Sequence, residues 1–186
     1  EAGAKAAMET LNRERQRDRQ ELTDRRLWNT KLLLKNYRSF EAHVANSVFT
    51  VDDYMPLEEI WADLMMPGRD STLFVESIKQ SVARTATIVK HMEAMIELYK
   101  VYCTTIGTAE EERRWRIINS LYISDERKSV KELAQAEGVV ERTIYKDIDI
   151  ACERIAALMF GVDGLNRRCG LMAKRMCSII NCDRYR

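Results

Sequence analysis

Apolar residues recur every three or four positions through most of the chain, which is the spacing of one face of an α-helix. The first such stretch runs from Thr23 to about Val48, and we expect Trp28 to join its buried face. That face comprises Leu27, Leu33, Leu34, Tyr37, Phe40, Val44 and Val48. No stretch alternates β-branched and polar residues between turn signals, as a strand would. The pattern therefore predicts an all-α fold.

A second stretch, from Ser71 to about Cys103, is predicted to be the longest helix. Its apolar positions are spaced alternately by four and three residues, which is the heptad spacing of a coiled coil. They are Ile78, Val82, Thr85, Val89, Met92, Ile96, Tyr99 and Cys103. A second apolar line on the same helix favours the central strut of an intramolecular bundle. A dimer built on the long helices stays open as an alternative.

The third stretch, from Ser129 to Leu158, has the signals of two helices joined by a tight turn. Ser129 precedes Glu132 by three residues, the spacing at which each side chain bonds a free backbone N–H of a helix start. Gly138 suits the left-handed turn that ends a helix. The second helix is predicted to bury Ile144, Ile148, Cys152 and Ile155. Its outward side then carries Arg142, Thr143, Tyr145, Lys146 and Asp149. A helix opened by Thr108 and Glu111 would complete a unit of three helices.

Composition adds little to this fold prediction but excludes several functions. The 186 residues include no run of about 18 apolar positions and no signal-peptide pattern, so we expect a cytoplasmic protein that does not enter a membrane. The five cysteines are expected to be reduced thiols. Cys169, Cys177 and Cys182 lack the paired spacing of a zinc site. With no glycine-rich phosphate loop and only two histidines, we predict no enzyme activity, no cofactor and no metal site.

Charge is distributed unevenly along the chain. The region 110–160 carries nine basic and eleven acidic residues, whereas 161–186 carries six and two. Phosphate contacts supply most non-specific DNA affinity. A DNA-binding domain formed by the slightly acidic region 110–160 is therefore expected to need help from the chain ends, a second subunit or polymerase. Near the N-terminus, Arg13, Arg15, Arg17 and Arg19 belong either to a solvated exposed helix or to a phosphate-contacting arm.

These observations predict four regions. Residues 1–22 form a charged arm or linker, and 23–106 form a helical bundle or oligomerisation region. Residues 107–161 form a helix-turn-helix DNA-binding domain, and 162–186 form a basic, cysteine-containing tail. At the start of the first motif helix, Lys128, Ser129 and Lys131 are candidate phosphate contacts, because exposed N–H groups there attract an anion.

The stretch KSVKELAQAEGVVERTIYKDIDIACERIAAL resembles the fourth region of sigma-70-type factors, which grips promoter DNA. Together with LLLKNYRSFEAHVANSV and VESIKQSVARTATIVKHMEAMIELYKVYC, it is similar to phage regulators of late transcription of the ArpU and RinA type. Glu137 and Val140 depart from the usual motif, which has an apolar residue and a Ser or Thr there. The resemblance implies a recognition helix that presents its first residues to the major groove. They are Glu141, Arg142, Thr143, Tyr145 and Lys146.

Three functions are consistent with these patterns. The first is a sequence-specific transcription regulator that binds double-stranded DNA at a promoter, with RNA polymerase as a candidate partner. The second is a small-terminase-like packaging or assembly protein that marks DNA with the same motif. The third is an adaptor whose motif contacts protein. Among the candidate residues, Arg142 is the strongest, because its guanidinium can pair with both major-groove acceptors of a guanine.

Overall fold

The computed structural model describes residues 2–47, 56–65 and 71–161, which form seven α-helices and no strand. The predicted all-α class is confirmed. The helices are α1 (Ala2–Ala45), α2 (Leu57–Leu64), α3 (Ser71–Lys79), α4 (Val82–Thr105), α5 (Ala109–Ile118), α6 (Val130–Ala136) and α7 (Glu141–Phe160). A π-helical turn, Asn119–Ile123, continues α5. The predicted tail, residues 162–186, lies outside the described residues.

The first helix, α1, is 44 residues long and has two different parts. Its side chains from residue 5 to residue 22 are all exposed, whereas Leu33, Tyr37 and Phe40 are buried. The helix is continuous through Thr23, where the sequence had predicted a helix start. Trp28 is 42% exposed, so its predicted place in the core is wrong. Trp28 and Tyr37 are nine residues apart, and at 100° per residue they lie on opposite sides of α1.

The long helix predicted from Ser71 is interrupted. The first part, α3, ends at Lys79, and α4 begins at Val82. Between them Ser81 is extended, and its Oγ accepts a hydrogen bond from the Arg84 N–H at 3.3 Å. The Thr85 hydroxyl donates to the Ile78 carbonyl at 2.9 Å and so satisfies a group left free at the end of α3. Because the apolar spacing continues across the break, the pattern alone could not reveal it.

The core is built around α7, which packs against α1, α4, α5 and α6. The heptad positions on α3 and α4 face this core: all are buried except Val82, which is half-buried. The stripe is therefore covered within the chain itself. Within the described ranges, no helix combines the length and the apolar content needed to cross a bilayer.

Candidate nucleic-acid interface

The start of α6 has the predicted cap. The Ser129 Oγ accepts from the Glu132 N–H at 3.2 Å, and the Glu132 carboxylate accepts from the Ser129 N–H at 2.6 Å. This backbone hydrogen bond holds the pKa of Glu132 below its usual value. Leu133 and Ala134 are buried, so the short helix is fixed on the core by one side. Its other side, including Lys131, is exposed.

The turn after α6 is a Schellman motif, in which two backbone N–H groups bond back to the last turn of the helix. Gly138 has φ of +64°, and its N–H donates to the Gln135 carbonyl at 3.3 Å. The Val139 N–H donates to the Ala134 carbonyl at 3.0 Å, and the Val139 side chain packs against the core. The predicted left-handed glycine is confirmed, and α7 begins two residues after Val139.

The predicted reading side of α7, which is the side that carries the five candidate residues, is largely exposed as the spacing predicts. Glu141, Arg142, Tyr145 and Lys146 are exposed, and Thr143 is half-buried. The opposite side buries Ile144, Ile148, Cys152 and Ile155. The residue before the helix, Val140, makes no side-chain cap bond and is 69% exposed.

The candidate phosphate contacts lie one short helix away from this reading side. Lys128, Ser129 and Lys131 are all exposed at the start of α6. Because α6 has seven residues, it separates the two helix starts by about 10 Å plus the turn. The structure therefore brings both groups of candidate residues to the same unit of the fold. Arg127, which the sequence reasoning missed, is exposed next to Lys128.

Buried ion pairs hold α7 on α5 directly behind the reading side. The Asp147 carboxylate accepts from Arg113 Nε at 2.8 Å and from Arg114 Nε at 3.0 Å. Two turns along, Arg154 bonds Glu111, which also accepts from the Tyr102 hydroxyl at 3.3 Å. Burial raises the pKa of Glu111, but the hydrogen bond and positive charge of Arg154, together with the bonds from the Thr108 N–H and the Tyr102 hydroxyl, outweigh it, and the net shift is downward. Asp147 adjoins Lys146 in the chain, so this anchor fixes the orientation of the reading side.

The departure from the motif at Glu137 has a structural reason. Its carboxylate accepts two hydrogen bonds from Arg116, from Nε at 2.9 Å and from a terminal nitrogen at 2.7 Å. The bond from Arg116 lowers the pKa of Glu137. This pair ties α6 to α5, where an apolar residue would otherwise pack. Because Glu137 pairs with Arg116, it does not pair with Arg142.

The charges that stay unpaired at the surface of the region 110–160 differ from the total charge of that region. Six acidic side chains of the region 110–160 are in ion pairs: Glu110, Glu111, Glu112, Glu137, Asp147 and Asp149. Five basic side chains make no ion pair with any described residue: Arg127, Lys128, Lys131, Arg142 and Lys146. All five lie at the starts of α6 and α7. Four acidic residues near them, Asp125, Glu126, Glu132 and Glu141, are also exposed and make no ion pair with a described residue. The unpaired exposed charges at the two helix starts are therefore five basic against four acidic, a small basic excess in a region whose total charge is acidic.

Two of the polar contacts between α1 and this unit lie near the candidate interface, and neither has a signal in the sequence. Lys31 Nζ lies 2.7 Å from an Asp149 carboxylate oxygen, across 118 positions of chain. Arg38 donates to the Ser124 carbonyl in the loop that leads to α6. The N-terminal helix thus borders the reading side of α7.

The described residues hold no group of three His, Cys, Asp or Glu side chains placed to bind a metal. Cys103 and Cys152 are buried free thiols, and burial raises their pKa to about 11 and about 12. Thiolates are the reactive form, so these two groups are poor nucleophiles at neutral pH. Cys169, Cys177 and Cys182 lie outside the described residues.

Comparison with known proteins assigns no relationship. No family model matches the chain, and neither the curated proteins nor the solved structures gave a match.

Proposed function

We propose that α6, its turn and α7 form a helix-turn-helix unit, and that the chain is a sequence-specific DNA-binding regulator of transcription. In this proposal an N-terminal helical bundle carries the unit. The phage regulators of the ArpU and RinA type, which the sequence resembles, act on late promoters, and RNA polymerase is the proposed partner there.

The observation that carries this proposal is the set of five basic side chains without ion pairs at the two helix starts. They are Arg127, Lys128, Lys131, Arg142 and Lys146. Phosphates attract such exposed cations, and each neutralised phosphate releases counterions and so favours binding. Lys128 and Lys131 at the α6 start suit the DNA backbone, whereas Arg142 and Lys146 on α7 suit the groove.

Arg142 is the proposed base-reading residue. It is exposed on the first turn of α7 and makes no ion pair with the described residues. A free guanidinium can donate two parallel hydrogen bonds to a guanine, a contact worth about 1 to 3 kcal/mol of discrimination. Tyr145, one turn further along, is 56% exposed and can contact either a base or a phosphate.

The test is selection of bound sequences from a random duplex library by the full chain. The wild type is expected to enrich one site, and Arg142→Ala is expected to lose preference at one base pair of that site. Arg13→Ala removes an equally exposed arginine far along α1 and should leave the preference unchanged. Both variants should unfold at the wild-type temperature. An unchanged preference in Arg142→Ala would contradict the proposed role.

A protein-binding adaptor is the second candidate, and one observation favours it. Val140 and Tyr145 expose apolar surface on the same end of α7, at 69% and 56%. Exposed apolar side chains near one helix start can contribute to a protein contact. Absence of DNA binding at 50 mM salt, where electrostatic attraction is strong, would favour the adaptor over the DNA reader.

A further inference from the structure

One side of α1 carries three basic residues that border the candidate interface. Lys31, Lys35 and Arg38 are spaced by four and three residues, so they lie on the same side of the helix. Lys31 pairs with Asp149 on α7, and Arg38 donates to the Ser124 carbonyl before α6. This side of α1 therefore reaches from the middle of the reading helix to the loop that precedes the first motif helix.

Lys35 lies between these two attachment points. It is about 5 to 6 Å from each neighbour on the helix surface, measured between Cβ atoms. Its side chain is exposed and makes no hydrogen bond or ion pair with the described residues. Asp149 is three residues beyond Lys146 on the outer side of α7, so the pair between Lys31 and Asp149 attaches this side of α1 to the exposed side of α7.

The pairing of Lys31 also changes what α7 presents. An unpaired Asp149 would face the DNA backbone two turns along from Arg142 and would repel it. Lys31 offsets that charge at 2.7 Å, although both side chains are about half exposed and the pair is worth little as a stabilising contact. Its effect is on the charge of the surface.

We propose that α1 is part of the DNA interface: Lys35 binds a phosphate beside the groove that α7 enters, and Lys31 screens Asp149. The inference rests on the proposed function, because it assigns a second element to the same DNA-binding surface. Phosphates carry no sequence information, so Lys35 contributes affinity and orientation but no base preference.

The test uses the full chain, the selected duplex and an unrelated duplex of equal length. Dissociation constants are measured by fluorescence anisotropy between 50 and 200 mM salt. Lys35→Gln is expected to weaken binding to both duplexes by the same factor and to lower the salt slope by about 0.9, the contribution of one phosphate. When the salt concentration is raised fourfold, the affinity of Lys35→Gln should therefore fall by a factor about 3.5 times smaller than the affinity of the wild type does.

Two further variants separate this role from a general loss of positive charge. Lys100→Gln removes a half-buried lysine on α4 that already pairs with Glu97 at 2.9 Å, and it should change neither affinity nor slope. Lys31→Ala should weaken binding to both duplexes, and Lys31→Ala with Asp149→Asn should restore it. Restoration supports a role in screening Asp149, and its absence overturns that part of the proposal.

The outcomes distinguish this inference from the function on which it rests. If Arg142→Ala loses base preference while Lys35→Gln matches the wild type in affinity and slope, α1 is not part of the interface and the proposed function stands. If Lys35→Gln alters the preference between the duplexes, its contact is to a base, and the phosphate assignment is overturned. If the wild type binds neither duplex at 50 mM salt, both proposals fail.

Discussion

Gly107 and Gly138 are required for different physical reasons. A Cβ at Gly107 would lie 2.4 Å from the Cys103 carbonyl oxygen, which is backbone and cannot rotate away. At Gly138 a Cβ would meet nothing within 4 Å, but the φ of +64° is costly for residues other than glycine. One position is limited by space and the other by backbone conformation.

Gly107→Ala is therefore expected to lower the free energy of unfolding by about 2 to 3 kcal/mol, since α4 and α5 must move apart. Gly138→Ala should cost about 1 kcal/mol from the strained backbone alone. Gly138→Asn is the matched control, because asparagine tolerates the left-handed conformation, and it should be closer to the wild type. Urea denaturation measures all three. An equal loss in the two alanine variants would contradict this distinction.

At the scale of elements, the Glu137 carboxylate joins the end of α6 to α5 through its ion pair with Arg116. Arg116 lowers the pKa of Glu137 in the folded state, relative to the ordinary value of 4.5. A group whose pKa is lowered by folding stabilises the fold above its unfolded pKa, and that contribution is lost as the pH falls through the folded pKa. The interaction between Glu137 and Arg116 should therefore weaken in acid.

We expect the free energy of unfolding of the wild type to fall below about pH 4.5, and that of Glu137→Gln to fall less steeply. Above pH 5 the variant should be the less stable of the two, because Arg116 loses its charged partner. Glu126→Gln, at an exposed carboxylate without an ion pair, is the control and should follow the wild type. The measurement is urea denaturation at a series of pH values. Parallel curves for Glu137→Gln and the wild type would show that the pair does not act this way.

The sequence predicted elements well where their ends are coded locally. Ser129, Glu132 and Gly138 lie within ten residues of one another, and each acts through backbone groups close to it in the chain. The break at Ser81 was missed because serine is tolerated within a helix as well as at its cap. The hydrogen bond from the Thr85 hydroxyl to the Ile78 carbonyl favours the helix break over a continuous helix. Local signals thus fix helix ends only where no continuing apolar pattern competes with them.

At the scale of the whole molecule, the candidate site depends on contacts that no local pattern encodes. Lys31 and Asp149 are 118 positions apart, and Glu137 meets Arg116 across 21. The sequence gives the sum of charges but not which of them are paired. For this reason the outward-facing residues of α7 were predictable, whereas the pairing of the charges around them and the contacts of α1 with α7 were not.

The exposed first part of α1 contributes little to the stability of the packed helices. Residues 5–22 have exposed side chains, so deletion of residues 2–20 is expected to change the free energy of unfolding by less than about 0.5 kcal/mol. Leu33→Ala, in the buried part of the same helix, should cost about 2 to 5 kcal/mol. Thermal or urea unfolding of the two variants makes the comparison. A large loss on deletion would mean that the arm packs on another part of the chain.

The packing of α7 against four other helices has a consequence for the thermodynamics of association. A reading helix that forms only on DNA must be ordered at that moment, which gives a large unfavourable entropy and a large negative heat-capacity change. Here the helix is held by Ile144, Ile148 and Asp147 before any ligand arrives. Calorimetry of the proposed DNA complex should then report the heat-capacity change of the contact surface alone, with no contribution from folding of α7.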